Sequence, residues 1–204
     1  MLLDIGSTTS DLIPLLDGVP CAKGRTDRER LRNWELIYRG VRRTPLYGVG
    51  GGFVCAELFA TTADVFLVLG LLPEDPADTD TANGRPFTRD HSLTRLARMF
   101  GADREEMSDD DLRAYAAEVH RDMCGMIGCG LNLFWGGRFE YRPDLTVIVS
   151  GTGAFLAPGI LEKAVPNFPE PLPQPRVVSL NDALGPAVSA CAPAYAVAVL
   201  ASGI

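Results

Sequence analysis

The sequence is poor in the side chains that most metal and redox chemistry requires. It has only two histidines, His91 and His120, and neither has a metal-type partner at helical spacing, so both read as helix-surface side chains. The five cysteines (Cys21, Cys55, Cys124, Cys129 and Cys191) are an odd number with no C-x-x-C pair and no zinc-type spacing. That pattern excludes a zinc module and predicts buried thiols in a reducing compartment. Long basic runs are also missing. The longest is Arg42-Arg43 in a chain of formal net charge -7, so the electrostatic footprint of a nucleic-acid binder is absent. The longest apolar stretches, 65–72 and 194–200, fall well short of the roughly 20 residues that span a bilayer, and no leader pattern opens the chain. The expectation is a cytoplasmic protein with neither a membrane nor a nucleic-acid partner.

What remains is ordinary for a globular chain: 204 residues, 47% hydrophobic and 22% charged, enough for one domain with a real core. Its most informative stretch is the first hairpin, Asp4-Ile5-Gly6-Ser7-Thr8-Thr9-Ser10-Asp11. Residues 2–5 and 9–16 read as strands, with a tight turn of glycine and hydroxyl residues between them. Gly6 permits close backbone approach, successive turn N–H groups form an anion nest, and Ser7, Thr8 and Thr9 add donors, so the turn suits phosphate. Asp4 and Asp11 bracket it. Carboxylates do not attract an anion, which points to a hard cation such as Mg2+ between them and the phosphate. An ordinary hairpin satisfied by its own hydroxyls is the alternative reading of the same residues.

Further along, Asp17-Gly18 predicts a turn into a third strand at 19–23, giving a three-stranded antiparallel meander. Thr26 and Glu29 have the spacing of a capping box. Arg42 and Arg43 could clamp an anionic substrate, since guanidinium groups grip phosphate oxygens in a fork, or could be solvated surface charges. The glycine-rich 47–53 stretch lacks the Lys-Ser/Thr of a P-loop and reads as a connector. Residues 65–72 predict a buried helix opened by a threonine, 73–86 an irregular loop, 88–100 a helix, and Ser108 the start of another. Gly125, Gly128, Gly130 and Gly136-Gly137 predict that this last helix fades after Cys124. Residues 145–149 form a β-rich apolar run followed at once by Ser150-Gly151-Thr152-Gly153 and a helix start, a second arrangement suited to anions or nucleotides. A proline-laden loop at 167–175, a strand at 176–180 and an alanine-rich terminal helix at 185–200, kinked at Pro193, complete the chain. The pattern implies an α/β fold: a β-meander, then alternating helices and strands, in a mixed sheet with helices on its faces.

DIGSTTSD resembles the second phosphate motif of the actin, sugar-kinase and Hsp70 superfamily, and VIVSGTGAF resembles its adenosine motif. LLDIGSTTSDLIPL, GRTDRERL, YRGVRRTPL, AELFATTADVFLVLGLLPEDPADTDTANGRP and LGPAVSACAPAYAVAVLA together resemble the hydantoinase/oxoprolinase-like proteins of the tetrahydromethanopterin-linked C1 transfer pathway. The resemblance implies a single RNase H-like domain over 1–204, the family's second domain, with a helical insertion at about 73–140. The chain opens directly on its motif strand, so the family's amino-terminal domain is expected to be absent, and the 47–53 connector is shorter than the family pattern. Relatives of this type include a methanofuran-biosynthesis synthase that joins an aminomethylfuran diphosphate to γ-glutamyltyramine and releases pyrophosphate.

By that resemblance Gly6, Ser7, Thr8 and Thr9 take phosphate oxygens and Asp4 and Asp11 take Mg2+. Arg42 and Arg43 add charge, and Gly151, Thr152 and Gly153 line the opposite wall. No residue presents itself as the base for the phenol. The implied partners are a small-molecule diphosphate and either the amino-terminal domain or a second copy. Two other classes stay open: an ATP-dependent kinase or amidohydrolase, and a non-catalytic binding module.

Overall fold

The computed structural model describes residues 1–49, 53–138, 145–164 and 175–203. Leu3 and Ile5 alternate with Leu2 and Asp4, so β1 (Leu2–Ile5) buries one face, and β2 (Ser10–Ile13) does the same through Ser10 and Leu12. Pro14 then ends the strand, because proline has no N–H for the ladder. The expected 9–16 strand is therefore two. Its second part, β3 (Leu15–Leu16), pairs with β4 (Val19–Pro20) in a separate two-stranded sheet, so the expected meander does not continue into the main sheet.

The place beside β2 is taken instead by β5 (Leu36–Ile37). On the other side β1 pairs in parallel with β6 (Thr146–Ser150), which pairs in parallel with β7 (Arg176–Ser179). The result is a five-stranded mixed sheet in the order β5-β2-β1-β6-β7, and the protein is a mixed α/β structure. Leu3, Ile5, Leu12 and Val147 are fully buried along it.

Two compact units result, one of Met1–Arg39 with Gly125–Ile204, which holds the sheet, and one of Gly40–Cys124. In the first unit, α1 (Asp27–Arg32) begins with the expected capping box between Thr26 and Glu29. After β6 a 3-10 turn (Ala154–Leu156) leads into α5 (Ala157–Lys163), which buries Ile160 and Leu161. In the second unit, α2 (Thr62–Val68) is buried along its whole length, and its Asp64 carboxylate accepts hydrogen bonds from the Thr61 N–H, Ser92 Oγ and Arg95 Nε. Ser92 and Arg95 lie on α3 (Arg89–Met99), so this buried cluster ties the two helices together.

Helix α4 (Asp109–Arg138) does not fade after Cys124. Two of its glycines, Gly128 and Gly130, are packing surfaces rather than breaks, whereas Gly125 faces open space. A Cβ on Gly128 would come within 2.9 Å of the Lys163 side chain, and one on Gly130 within 2.6 Å of Ile37 Cδ1. The terminal segment is three helices, α6 (Leu180–Leu184), α7 (Pro186–Ala190) and α8 (Ala192–Ser202), interrupted at Gly185 and Cys191 rather than kinked at Pro193. Pro193 sits in the first turn of α8, where a missing N–H costs nothing. All five cysteines are free thiols, but only Cys124 is buried; Cys21, Cys129 and Cys191 are exposed, against expectation. Among the described residues no helix is long and apolar enough to cross a membrane. The centre of the glycine-rich connector, 50–52, and the proline-laden loop, except Pro175, lie outside the described residues.

Candidate phosphate and carboxylate site

The two glycine turns read from the sequence meet at one edge of the sheet. Because β1 and β6 are parallel, both strands end on the same side, and the turns that follow them are neighbours. Gly153 N–H donates to Ile5 O at 2.8 Å, and Gly151 packs so closely on Ile5 that a Cβ would lie 2.3 Å from the same carbonyl oxygen. Gly151 also has φ +90, which only glycine adopts without strain. This glycine is therefore required by the contact of backbone with backbone.

The 6–9 turn is different. Gly6 donates its N–H to Thr9 O at 2.8 Å and closes the turn, but its φ is not positive and a Cβ would meet only Thr9 O, at 3.4 Å. Ser7, Thr8 and Thr9 follow with main-chain N–H groups that make no hydrogen bond to the described residues. Three successive unpaired N–H groups in a half-exposed turn are donors available to an anion. In the second turn, Gly151 and Gly153 spend their N–H groups on Ser189 O and Ile5 O, which leaves Thr152 as the free donor.

Register brings the carboxylates together. Asp4 is the direct partner of Asp11 across the antiparallel pair and of Ser150 across the parallel one, so the three stand in a row on one face. Ser150 Oγ donates to Asp4 Oδ1 at 2.5 Å. Asp11 Oδ1 is held at 2.6 Å by Arg30 Nη2 from α1, which also donates to Glu35 O at 3.1 Å. Asp4 Oδ2 has no hydrogen-bond donor among the described residues. Burial pushes the Asp4 carboxyl above the usual carboxylate range; the Ser150 hydroxyl opposes this and the nearby Asp11 charge adds to it.

Ser150 and Arg30 were not recognised as site residues from the sequence. Ser150 could have been, since it ends the strand beside Asp4's own; Arg30 carries no local signal beyond its place in a capped helix. Among the described residues no group of three or more His, Cys, Asp or Glu could hold a metal. The donor set at Asp4 still fits Mg2+, which keeps several waters and takes one or two carboxylates plus phosphate oxygens. His91 Nδ1 pairs with Thr88 Oγ1 at 2.8 Å and His120 lies edge-on to Phe66, both away from any metal-type cluster.

Beside the second turn is a cleft of about 480 Å³, lined by Gly151, Thr152, Phe155, Ser179, Asn181 and neighbouring small residues, with no charged side chain. In the second unit, Arg42 forms an ion pair with Asp78 and stands 5.1 Å from the Phe87 ring centroid. The Asp80 N–H and the Arg42 guanidinium hold the Asp78 carboxyl below its usual range. Arg43 reaches Asp80 only at 3.9 Å and its side chain is 63% exposed.

No protein-family model matches the chain. Over 98% of its length, however, it is 31% identical to the (4-{4-[2-(gamma-L-glutamylamino)ethyl]phenoxymethyl}furan-2-yl)methanamine synthase of Methanocaldococcus jannaschii, and 29% identical to the enzyme of the same name from Methanococcus vannielii. The chain spans 58% of the first relative's length and 89% of the second's. What it is similar to from end to end, therefore, is a pair of synthases whose named product is a furan-2-yl methanamine carrying a γ-glutamylaminoethyl phenoxymethyl arm.

Proposed function

We propose that the chain takes part in making a C1-transfer cofactor, methanofuran or an analogue, as the diphosphate-binding domain of a transferase that couples an aminomethylfuran diphosphate to a tyramine-type phenol. The observation that carries this reading is the run of three unpaired N–H groups at Ser7, Thr8 and Thr9 beside the open oxygen of Asp4. The product for which the relatives are named contains the phenoxymethyl-furan ether that such a coupling forms.

In the reaction the furanylmethyl carbon–oxygen bond breaks, its electron pair leaves with pyrophosphate, and the phenol oxygen bonds to the carbon and releases its proton. The ring stabilises positive charge on that carbon, so the protein's main task is to accommodate the departing anion. The 6–9 turn binds its oxygens through backbone N–H groups. Asp4 is the residue that would hold Mg2+, with Asp11 behind it; when bound, the cation neutralises charge on the leaving diphosphate. Ser150 fixes the Asp4 rotamer, and Arg30 keeps Asp11 from adding a second uncompensated charge. Thr152 offers a further donor, and the uncharged cleft beside it suits a neutral aromatic ring, the phenol of the acceptor. An RNase H-like fold with a helical insertion, a facing amino-terminal domain or second copy, and Arg43 as supplementary charge belong to the same reading.

An ATP-dependent enzyme of the actin-like superfamily is the second reading, favoured by the same uncharged cleft at the Gly151 turn. Calorimetry separates them. Titration with Mg-pyrophosphate and with Mg-ATP should give binding of pyrophosphate that Asp4→Asn weakens, and no tighter binding of ATP. Tight ATP binding with equal pyrophosphate affinity in parent and Asp4→Asn would replace the synthase reading by the ATP-dependent one.

A further inference from the structure

The second unit contains a pocket lined by its own residues. It has a volume of about 220 Å³ and lies where α2 ends, with Leu67 and Leu72 as apolar floor and Glu74, Arg89 and Arg113 as its charged side chains. Helix α2 ends at Val68; Gly70, two residues on, has φ +74, and the following N–H groups of Leu71 and Leu72 both turn back to Phe66 O. The carbonyls of Val68 and Leu69, two of the lining residues, have no backbone donor among the described residues.

The charged groups around the pocket are uncommitted. Arg89 is the first residue of α3, the helix end where a positive charge is electrostatically disfavoured, and it makes no ion pair or hydrogen bond among the described residues. Arg113 follows Asp109 by four residues on α4, a spacing that favours a pair, yet Asp109 is taken by Arg104 and Arg113 is left alone. Glu74, an exposed residue, likewise has no ion pair among the described residues. Two free guanidinium groups, one free carboxylate and two free carbonyls thus border a small cavity with an apolar floor. An anion alone would satisfy the arginines and leave the acceptors unused.

We propose that this pocket binds the α-amino-acid head of a ligand, its carboxylate on Arg89 and Arg113 and its ammonium on Glu74 and the carbonyls of Val68 and Leu69. Guanidinium groups match carboxylate geometry in a fork, and the ammonium supplies the donors that a helix carboxyl end lacks. The pocket is smaller than those that enclose a whole drug-sized ligand, which suits a head group with the rest of the molecule outside. The relatives' product carries a γ-glutamyl group, which ends in such a head; taking that group as the ligand rests on the synthase reading above.

The test is calorimetry on the full chain with four probes: L-glutamate, γ-glutamyltyramine, tyramine and glutarate. L-glutamate and γ-glutamyltyramine should bind, tyramine should not, and glutarate, which lacks the ammonium, should bind at least tenfold more weakly. Arg113→Gln and Arg89→Gln should each lower the L-glutamate affinity about tenfold, in line with loss of a charge-assisted contact. Melting followed by circular dichroism should show both variants folded, since neither arginine supports another residue. Glutarate binding as tightly as L-glutamate, or full affinity in Arg113→Gln, would overturn the proposal. If the parent binds Mg-pyrophosphate but neither amino-acid probe, the pocket assignment alone falls. If it binds both amino-acid probes but no pyrophosphate, the pocket stands and the synthase reading falls.

Discussion

Asp4 and Asp11 stand directly opposite each other on β1 and β2, and only Asp11 is neutralised, by Arg30. Keeping Asp4 charged at this position opposes folding, because burial and the neighbouring Asp11 both push its carboxyl above the usual range. A raised folded-state value means that the group favours the folded state most fully in acid, and that this contribution is lost as pH rises through the folded value. Cation binding has the opposite dependence, since it needs the ionised carboxylate. The expectation is that thermal stability falls and Mg-pyrophosphate affinity rises as pH climbs through this window. Asp4→Asn keeps an acceptor for Ser150 and removes the charge, so its Tm at neutral pH should equal or exceed the parent's while affinity drops about tenfold, roughly 1.4 kcal/mol. Parallel melting and calorimetry from the usual carboxylate range, about pH 4, upward give the check; a lower Tm with unchanged affinity would make Asp4 a structural residue.

Arg30 is the counterpart of that balance. Replacing it by Gln leaves Asp11 without its cation beside a second carboxylate and removes a donor to Glu35 O. Breaking a charge-assisted, partly buried bond of this kind should cost about 1.5–3 kcal/mol. Asp11→Asn in the Arg30→Gln background should restore much of it, because the double variant carries no uncompensated charge at the second strand. Urea unfolding of the four proteins of this cycle measures the coupling, and additive losses would show that the pair is not a unit.

How much of this could be read from the chain depends on the range of the interaction. The capping box at Thr26 and Glu29 was legible because both partners lie within one turn of the same helix. The 6–9 turn and its two bracketing aspartates were legible for the same reason, since a short hairpin sets its own register. Arg30 on Asp11 and Ile37 against Gly130 depend on the completed fold, and nothing local announces them; Ser150 on Asp4 follows only once β6 is set beside β1. The glycines of α4 were misread for that reason: propensity marks them as weak helix formers, whereas Gly128 and Gly130 give other elements close access to the helix. Pro14 was the reverse case, a local signal strong enough to divide a strand but not weighed against the apolar pattern around it.

The two glycine turns should respond differently to substitution. Gly6→Ala adds a Cβ with only Thr9 O nearby, at 3.4 Å, and the backbone needs no special conformation, so the variant should fold with a Tm within a few degrees of the parent. Any loss of pyrophosphate affinity in it then reports ligand approach to the turn. Gly151→Ala forces a Cβ into the Ile5 backbone at 2.3 Å and strains φ +90, so it should be strongly destabilised whatever the turn binds. Thr152 is the better probe of the second turn, because its side chain is exposed and its N–H is free. Expression yield and melting of Gly6→Ala, Gly151→Ala and Thr152→Ala decide the point, and a stable Gly151→Ala would contradict the backbone contact described here.

The two arginines expected to clamp phosphate differ in what would have to be given up to do so. Arg42 is paired with Asp78 and lies over Phe87, and freeing its guanidinium means breaking a charge-assisted bond and a cation–π contact together. Arg43 touches Asp80 only at 3.9 Å from an exposed position, where such pairs contribute little. Its charge is free to act on an anion at small cost. Arg43→Gln should therefore weaken Mg-pyrophosphate binding more than Arg42→Gln, with the larger part of its effect disappearing at high salt, as screening of an exposed charge requires. Arg42→Gln should instead lower Tm, since Asp78, whose other carboxylate oxygen accepts from the Asp80 N–H, loses its cation. Asp78→Asn completes the test: if it raises pyrophosphate affinity, Arg42 was being withheld from the anion by its own carboxylate and the assignment to Arg43 is wrong.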